Sequence, residues 1–150
     1  LDTRFPTVNP DDPLALSPEE EACLSRLRGS FLKSPILWEQ MKFLVRVGRM
    51  YLVRDRHLIF HGCLPVDEQG RKLALRVDEE ELSGRPLFDR LNQVVSRALV
   101  EKRPEDLDLL WYLWGGKLSP LFGKDKMATF ETYFVAEEKT HKETKNPYFS

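Results

Sequence analysis

The sequence has little cysteine, no long apolar run and no excess of charge of one sign. Its 150 residues include two cysteines, Cys23 and Cys63, whose spacing matches no zinc-ribbon or CxxC motif. A chain of this size with so few cysteines does not depend on disulfides, so we expect a cytoplasmic protein. The net charge of −1 argues against a nucleic-acid partner, and the lack of a long apolar run argues against a membrane partner.

Several catalytic signatures are missing as well. The sequence contains no G-x-S-x-G of serine hydrolases, no H-E-x-x-H of zinc proteases and no dinucleotide-binding glycine fingerprint. A P-loop is also absent, because Asp125 follows Lys124 where a serine or threonine is required. These absences exclude the commonest hydrolase, protease and nucleotide-binding motifs.

The composition supports one folded segment with a real core. Hydrophobic residues make up 41% and charged residues 31%, and the length requires no second domain. Residues 1–16 carry three prolines and predict an extended arm, and residues 17–150 predict a helical and β body. The chain starts at Leu1 without methionine and stops at Ser150, so we expect an internal piece of a longer chain.

Two helices are predicted after the arm. Ser17-Pro18-Glu19-Glu20 is a capping box with proline in the first turn, and Ser34-Pro35 repeats the same kind of start. Both helices have an apolar face, which predicts that they build the core. The residues of these faces are Leu24, Leu27 and Phe31 in the first helix, and Leu37, Met41, Leu44 and Val45 in the second.

A β region and two more helices are predicted next. The runs 50–54 and 57–61 flank Asp55-Arg56, which favours a hairpin, and residues 72–77 form a weak third strand. The acidic residues 78–81 are interpreted as solvated helix-start or loop charges. The third helix carries Leu87, Leu91, Val94 and Ala98 on one stripe, and the fourth carries Leu107, Leu110, Trp111 and Trp114 facing inward. The fold class is therefore α+β, mostly helical with a few strands.

His61 is the first candidate for chemistry. It ends an apolar strand and precedes Gly62, and histidine is the commonest side chain for metal binding and proton transfer near neutral pH. His57 is four residues away, about 13 Å along a strand, so the two imidazoles cannot share one ion. Cys63 is closer, but a closed zinc site needs further ligands, and nothing ties His141 to the strand. His61 is therefore either a structural histidine or one ligand of a larger site.

A lysine-rich loop is the second candidate. Lys117, Lys124 and Lys126 lie beside glycines, whose exposed N–H groups favour anion binding, although loop lysines are also common without any ligand. Residues 127–134 predict a short helix after this loop. Two further readings stay open. Cys63 is a nucleophile or a small buried thiol, and the tryptophans of the fourth helix stack on a ligand or belong to the core.

Longer blocks carry a family resemblance. His61-Gly62-Cys63-Leu64-Pro65 resembles the block of calcineurin-like metallophosphoesterases in which a strand ends in His-Gly. The runs 111–117, 119–127, 129–134, 140–143 and 145–148, with the arm at 5–8 and the helix start at 17–20, resemble class 3 fructose-1,6-bisphosphatases. The resemblance covers nearly all 150 residues.

The resemblance implies hydrolysis of fructose 1,6-bisphosphate to fructose 6-phosphate and phosphate, in gluconeogenesis, by a two-metal phosphatase using manganese. It implies a segment of a larger α/β metallophosphoesterase sandwich, whose partners are a sugar bisphosphate and the rest of the parent chain, with a homo-oligomer left open. The family's Gly-Asp-x-x-Asp-Arg, Gly-Asn-His-Glu and Gly-His blocks do not occur here. Only His61 is carried over as a metal ligand, no residue is carried over as catalytic, and Lys117, Lys124 and Lys126 are expected at the substrate.

A rival interpretation comes from another functional class. The chain would then be a non-catalytic helical module for assembly or regulation, in which His61 is structural. The two interpretations differ in whether His61 meets a metal ion in the intact enzyme.

Overall fold

The computed structural model describes residues 5–125 and 144–150. Within them lie four helices and two separate two-stranded antiparallel sheets, which confirms an α+β fold. The elements in chain order are α1 (Pro18–Leu32), α2 (Pro35–Val47), β1 (Tyr51–Arg54), β2 (His57–Phe60), β3 (Leu75–Val77), β4 (Glu80–Leu82), α3 (Gly84–Val100), α4 (Pro104–Gly115) and a 3-10 turn, Pro147–Phe149. The helix predicted over 127–134 lies outside the described residues.

The first two helices begin where their caps predict. The Ser17 hydroxyl accepts a hydrogen bond from the Glu20 N–H at 3.2 Å, and the Glu20 carboxylate accepts one from the Ser17 N–H at 2.8 Å. The Ser34 hydroxyl accepts from the Leu37 N–H at 3.3 Å in the same way. These bonds satisfy N–H groups that have no partner inside the helix. Local sequence therefore sets both helix starts.

Neither of these helices contributes a buried residue. Leu24, Leu27 and Phe31, which were expected to face a core, are each at least half exposed. The prediction that α1 and α2 build the core is therefore wrong for the part of the chain that the structure describes. Periodicity marks a face that can be buried, but it does not supply the surface that buries it.

The core is centred on α3. Its predicted stripe of Leu87, Leu91, Val94 and Ala98 is buried, which confirms the periodicity of this helix. The rings of Tyr51 and Phe60 lie 5.9 and 6.0 Å from that of Phe88, so the base of the β1–β2 hairpin packs on α3. The cluster is completed by Met50, Val77 and Leu113.

The fourth helix presents a different face from the predicted one. Trp111 and Trp114, expected inside, are 79% and 69% exposed, whereas Leu113 and Asp106 are buried. The inward stripe of α4 therefore begins with a carboxylate. A pattern based on apolar residues alone places the stripe on the wrong side, because it discards the charged position.

Both strand pairs are hairpins whose two central turn residues have positive φ. Asp55 and Arg56 have φ values of 50° and 65°, as a two-residue hairpin turn with both central residues at positive φ requires, which confirms the predicted β1–β2 hairpin. Asp78 and Glu79 do the same, at 49° and 66°, between β3 and β4. The interpretation of 78–81 needs correction, because only the first two acidic residues form the turn and the others belong to β4.

Arg97 on α3 joins the second hairpin to α4. Its guanidinium donates to the buried Asp106 carboxylate at 2.9 and 2.5 Å and to Asp78 at 3.0 and 2.7 Å. Arg90 adds bonds to Asp78 at 3.3 Å and to Glu80 at 3.1 Å. The hydrogen bonds from Arg97 hold the pKa of both aspartates below its usual range. The network fixes the orientation of α4 against α3.

Arg97→Ala is expected to lower the free energy of unfolding by about 3 kcal/mol, because it leaves the buried Asp106 without its main partner. Arg90→Ala, which removes bonds to more exposed carboxylates, is the matched control and should cost less than about 1 kcal/mol. Chemical denaturation measures both. Equal losses in the two variants would contradict the special role of Arg97.

The same contacts predict acid sensitivity. Because the pKa of Asp106 and of Asp78 is lower in the folded than in the unfolded protein, their contribution is present above the unfolded value, about 3.9, and is lost as the pH falls through the folded value. When the pH is lowered from about 6 to about 2, the unfolding midpoint should fall more steeply in the unaltered protein than in Arg97→Ala.

Candidate functional site

Three segments far apart in sequence meet at the carboxyl end of β2. The Cys63 N–H donates to the carbonyl of Pro120 at 2.9 Å, and the Asn146 N–H donates to the carbonyl of Gly123 at 2.7 Å. The turn at 61–63, the loop at 117–124 and the end of the chain at 144–146 are therefore held together by backbone bonds. These segments include several of the residue blocks that resemble class 3 fructose-1,6-bisphosphatases.

His61 directly follows β2, and its side chain is exposed. Gly62 comes next, and a Cβ at this position would overlap the carbonyl oxygen of Pro120. Only glycine permits this backbone approach, so the loop at 117–124 contacts the residue beside the histidine. The strand and the glycine together place an accessible imidazole at the junction.

Cys63 is a buried thiol. Its side chain is fully enclosed, and the Sγ atom lies 3.7 Å from the carbonyl oxygen of Ser119. Burial raises the pKa of Cys63, so the group stays protonated near neutral pH. A protonated, enclosed thiol is a poor nucleophile, so the structure supports the buried-thiol interpretation.

Two polar residues that the sequence interpretation missed hold the junction together. The fully buried Ser119 donates to the carbonyl of Leu113 at 2.7 Å and accepts from the Leu121 N–H at 3.1 Å. The Asn146 side chain exchanges two bonds with the backbone of Val66, both at 3.1 Å. Each of the two precedes a proline, and Ser-Pro and Asn-Pro favour turn initiation, so this signal was available.

The candidate lysines are only partly described. Lys117 is exposed, and Lys124 is partly exposed and forms an isolated β-bridge with Lys145. Pro120 and Leu121, which contact the Gly62–Cys63 turn, lie between these two lysines in the chain. The loop is therefore attached to the His61 turn at its middle. Lys126 and His141 lie outside the described residues.

The donor set does not fit a complete metal centre. Among residues 5–125 and 144–150, no three histidine, cysteine, aspartate or glutamate side chains are grouped so as to hold an ion. His57 is exposed at the other end of β2, paired in the ladder with Arg54. The junction at the end of β2 offers one accessible imidazole, that of His61, beside a loop with basic residues.

Among residues 5–125 and 144–150, no helix combines the length and the apolar character needed to span a membrane.

Gly123→Ala tests the packing of this junction. Gly123 has φ +64°, and an added Cβ would lie 2.5 Å from Cys63 Sγ and 3.0 Å from the Phe149 ring. Gly70 has φ +73° with nothing within 4 Å, so Gly70→Ala carries the same backbone strain without the clash. We expect Gly123→Ala to cost about 2 kcal/mol more than Gly70→Ala in thermal or chemical unfolding. Cys63→Ala should recover part of that difference in a double mutant, and full additivity would contradict the contact.

The whole chain is similar in sequence to known fructose-1,6-bisphosphatases. The family model described as Firmicute fructose-1,6-bisphosphatase matches residues 1–150. The chain is 44% identical to a class 3 fructose-1,6-bisphosphatase of Fusobacterium nucleatum over 98% of its length, and 41% and 46% identical to proteins of that name from Clostridium tetani and Staphylococcus aureus over 99%.

These matches extend over the whole chain but over a small part of each relative. The chain spans 24% of the Fusobacterium nucleatum protein and 23% of each of the other two. No solved structure matches. Because the family model covers every residue, the chain belongs to the Firmicute fructose-1,6-bisphosphatase family.

Proposed function

We propose that this chain forms part of a cytoplasmic fructose-1,6-bisphosphatase, which hydrolyses the 1-phosphate of fructose 1,6-bisphosphate in gluconeogenesis. The observation that carries the proposal is the match of all 150 residues to a family whose curated members bear this activity in their names. The geometry adds that the turn at 61–63, the loop at 117–124 and residues 144–146 are bonded together at the end of β2. In this role the segment belongs to a larger α/β metallophosphoesterase sandwich.

His61 is the residue to which we assign a metal contact. A strand end fixes its backbone, Gly62 and Pro120 fix the turn after it, and its side chain is exposed to an incoming ion. The remaining donors would come from other parts of a full-length enzyme. His61 would be one ligand of a divalent pair, for which we propose manganese, and such a pair would supply hydroxide and neutralise charge for attack on phosphorus. The residues described here bind and orient, and none of them is assigned a catalytic role.

Lys117, Lys124 and Lys126 are assigned to the substrate wall. A sugar bisphosphate carries two dianionic groups, and ammonium groups on a loop bind phosphate oxygens through charge-assisted hydrogen bonds. The support is positional, because the loop with Lys117 and Lys124 is bonded to the turn that bears His61. With a single metal contact and part of the wall, the isolated 150-residue polypeptide should have little or no phosphatase activity.

His61→Ala tests the metal contact in a full-length family enzyme that carries this sequence. We expect loss of bound metal and at least a 100-fold fall in kcat/KM, because metal-ligand and supporting contacts commonly contribute that much. The control is His57→Ala, which removes an exposed imidazole at the other end of β2. This variant should keep both the bound metal and kcat/KM. Metal analysis of the purified proteins and steady-state kinetics are the measurements.

Retained metal and turnover in His61→Ala would favour the rival function, a non-catalytic module for assembly or regulation. A parent-like rate of bisphosphate hydrolysis by the 150-residue chain alone would also contradict the division of roles described here.

Lys124→Ala tests the substrate wall separately. Loss of a charge-assisted contact to phosphate should raise KM for the bisphosphate by about tenfold, with metal content unchanged. Lys72→Ala, an exposed lysine in the 65–73 loop, is the control for removing a positive charge. An unchanged KM in Lys124→Ala would remove this residue from the binding site.

A further inference from the structure

Two tryptophans near the end of α4 lie on its outer face. Trp111 and Trp114 are three residues apart in the helix, so their side chains share one face. Their exposed fractions are 79% and 69%. Tryptophan is highly buried on average, and a patch of exposed apolar side chains commonly marks a contact surface. These two residues are called the indole face below.

The packing of α4 keeps the indole face outside. On the packed side of this helix, the buried Asp106 carboxylate accepts hydrogen bonds from Arg97, and Leu113 is fully enclosed. The Ser119 hydroxyl donates to the Leu113 carbonyl at 2.7 Å, which fixes the last turn of the helix as well. Turning the indoles inward would break these bonds and leave a buried carboxylate without its partner. Their exposure is therefore a consequence of how α4 is held.

The loop at 117–124 begins folded against the same end of α4. A Cβ at Gly116 would overlap the Tyr112 ring, and the Leu118 N–H donates to the Tyr112 hydroxyl at 3.0 Å. Lys117 lies between these two residues and is exposed. Its backbone is thus fixed to Tyr112, which lies between the two tryptophans in the chain. The end of α4 therefore carries two indole rings and an ammonium group on one frame.

This combination of groups matches the chemistry of a sugar phosphate. Phosphates bind cations and N–H donors, whereas the C–H groups of a sugar pack on the face of an aromatic ring. Ligand sites in proteins likewise combine aromatic walls with a few polar groups. Through Pro120, which accepts the hydrogen bond of the Cys63 N–H, the same loop reaches the turn that carries His61. The indole face is therefore linked by bonded residues to the junction at the end of β2.

We propose that the indole face binds the sugar moiety of the sugar bisphosphate, with Lys117 at one of its phosphates. Trp111 and Trp114 are then substrate-binding residues that contact no reacting atom. This inference rests on the proposed function, and it adds the contact that distinguishes a sugar phosphate from phosphate alone. A covering segment of a full-length enzyme is the competing occupant of the same face.

The first experiment compares the two products of the reaction as inhibitors of a full-length enzyme that carries this sequence. Fructose 6-phosphate contains the sugar, and inorganic phosphate does not. In Trp111→Ala and in Trp114→Ala, the inhibition constant of fructose 6-phosphate and the KM of the bisphosphate should rise about tenfold, because a ring contact is lost. The inhibition constant of phosphate and kcat should stay within about twofold of the unaltered values.

Two kinds of variant serve as controls. Trp111→Phe and Trp114→Phe keep an aromatic face and should restore most of the affinity for fructose 6-phosphate. Trp38→Ala removes the tryptophan of α2, whose Nε1 donates to the Leu32 carbonyl at 2.9 Å, and should leave every constant unchanged.

A selective rise for fructose 6-phosphate in either Ala variant supports the proposal. Unchanged inhibition by fructose 6-phosphate in both Ala variants would overturn it. Equal rises for fructose 6-phosphate and phosphate would also overturn it, because they would indicate a disturbed phosphate site rather than a lost sugar contact.

The second experiment measures whether the indoles are accessible in the intact enzyme. Acrylamide quenches the fluorescence of the indoles that it contacts, and the emission lost in a Trp111→Phe/Trp114→Phe double variant is the contribution of the indole face. This contribution should be quenched in the free enzyme and protected by fructose 6-phosphate but not by phosphate. A contribution that acrylamide does not quench would assign the indole face to a covering segment. Quenching that fructose 6-phosphate leaves unchanged would equally reject the sugar contact.

The two experiments separate this inference from the proposed function. An enzyme that hydrolyses the bisphosphate with unchanged constants in both tryptophan variants keeps the proposed function and loses the sugar contact. An unaltered enzyme that does not hydrolyse the bisphosphate would reject the proposed function, and protection of the indoles by fructose 6-phosphate would then decide the contact by itself.

Discussion

The junction at the end of β2 depends on one close backbone approach. Gly62 allows the carbonyl of Pro120 to occupy the space that a Cβ would need, and the next N–H, that of Cys63, donates to the same carbonyl. A second glycine, Gly123, leaves room for the Cys63 thiol, which a Cβ at position 123 would clash with. A Cβ at Gly62 would overlap the Pro120 backbone and one at Gly123 would crowd the Cys63 thiol, so a larger residue at either position would strain the contact between loop and strand. The junction therefore depends on two glycines, which have no side chain, as much as on the side chains around them.

Two buried polar side chains at this junction have hydrogen-bond partners. The side chains of Ser119 and Asn146, both buried, form hydrogen bonds with backbone groups of their own segments and of Leu113 and Val66. Buried polar side chains whose hydrogen bonds are satisfied rigidify the loops that they join. The loop at 117–124 and His61 are thus held on one frame, and the proposed contacts with a phosphate and a metal ion would require such a frame.

The distribution of burial is uneven along the chain. Among residues 5–125 and 144–150, the buried hydrophobic side chains run from Met50 to Leu113 and centre on α3, whereas α1 and α2 bury none. The α3 stripe and the β1–β2 hairpin were predictable, since periodicity and a two-residue gap encode them directly. The orientation of α4 was not, because it is set by the pairing of Asp106 with Arg97, a contact between two helices that no local pattern contains.

The sequence by itself determined the helix starts, the hairpin, the α3 stripe and the family, because caps, periods and long similar blocks are properties of neighbouring residues. Only the tertiary structure decided that Cys63 is enclosed and that Asn146 closes onto Val66 eighty residues away. It also decided that the aliphatic residues of α1, α2 and the hairpin stay exposed in this chain. The physical reason is that burial is a property of pairs of surfaces, and the sequence of one surface does not specify the other.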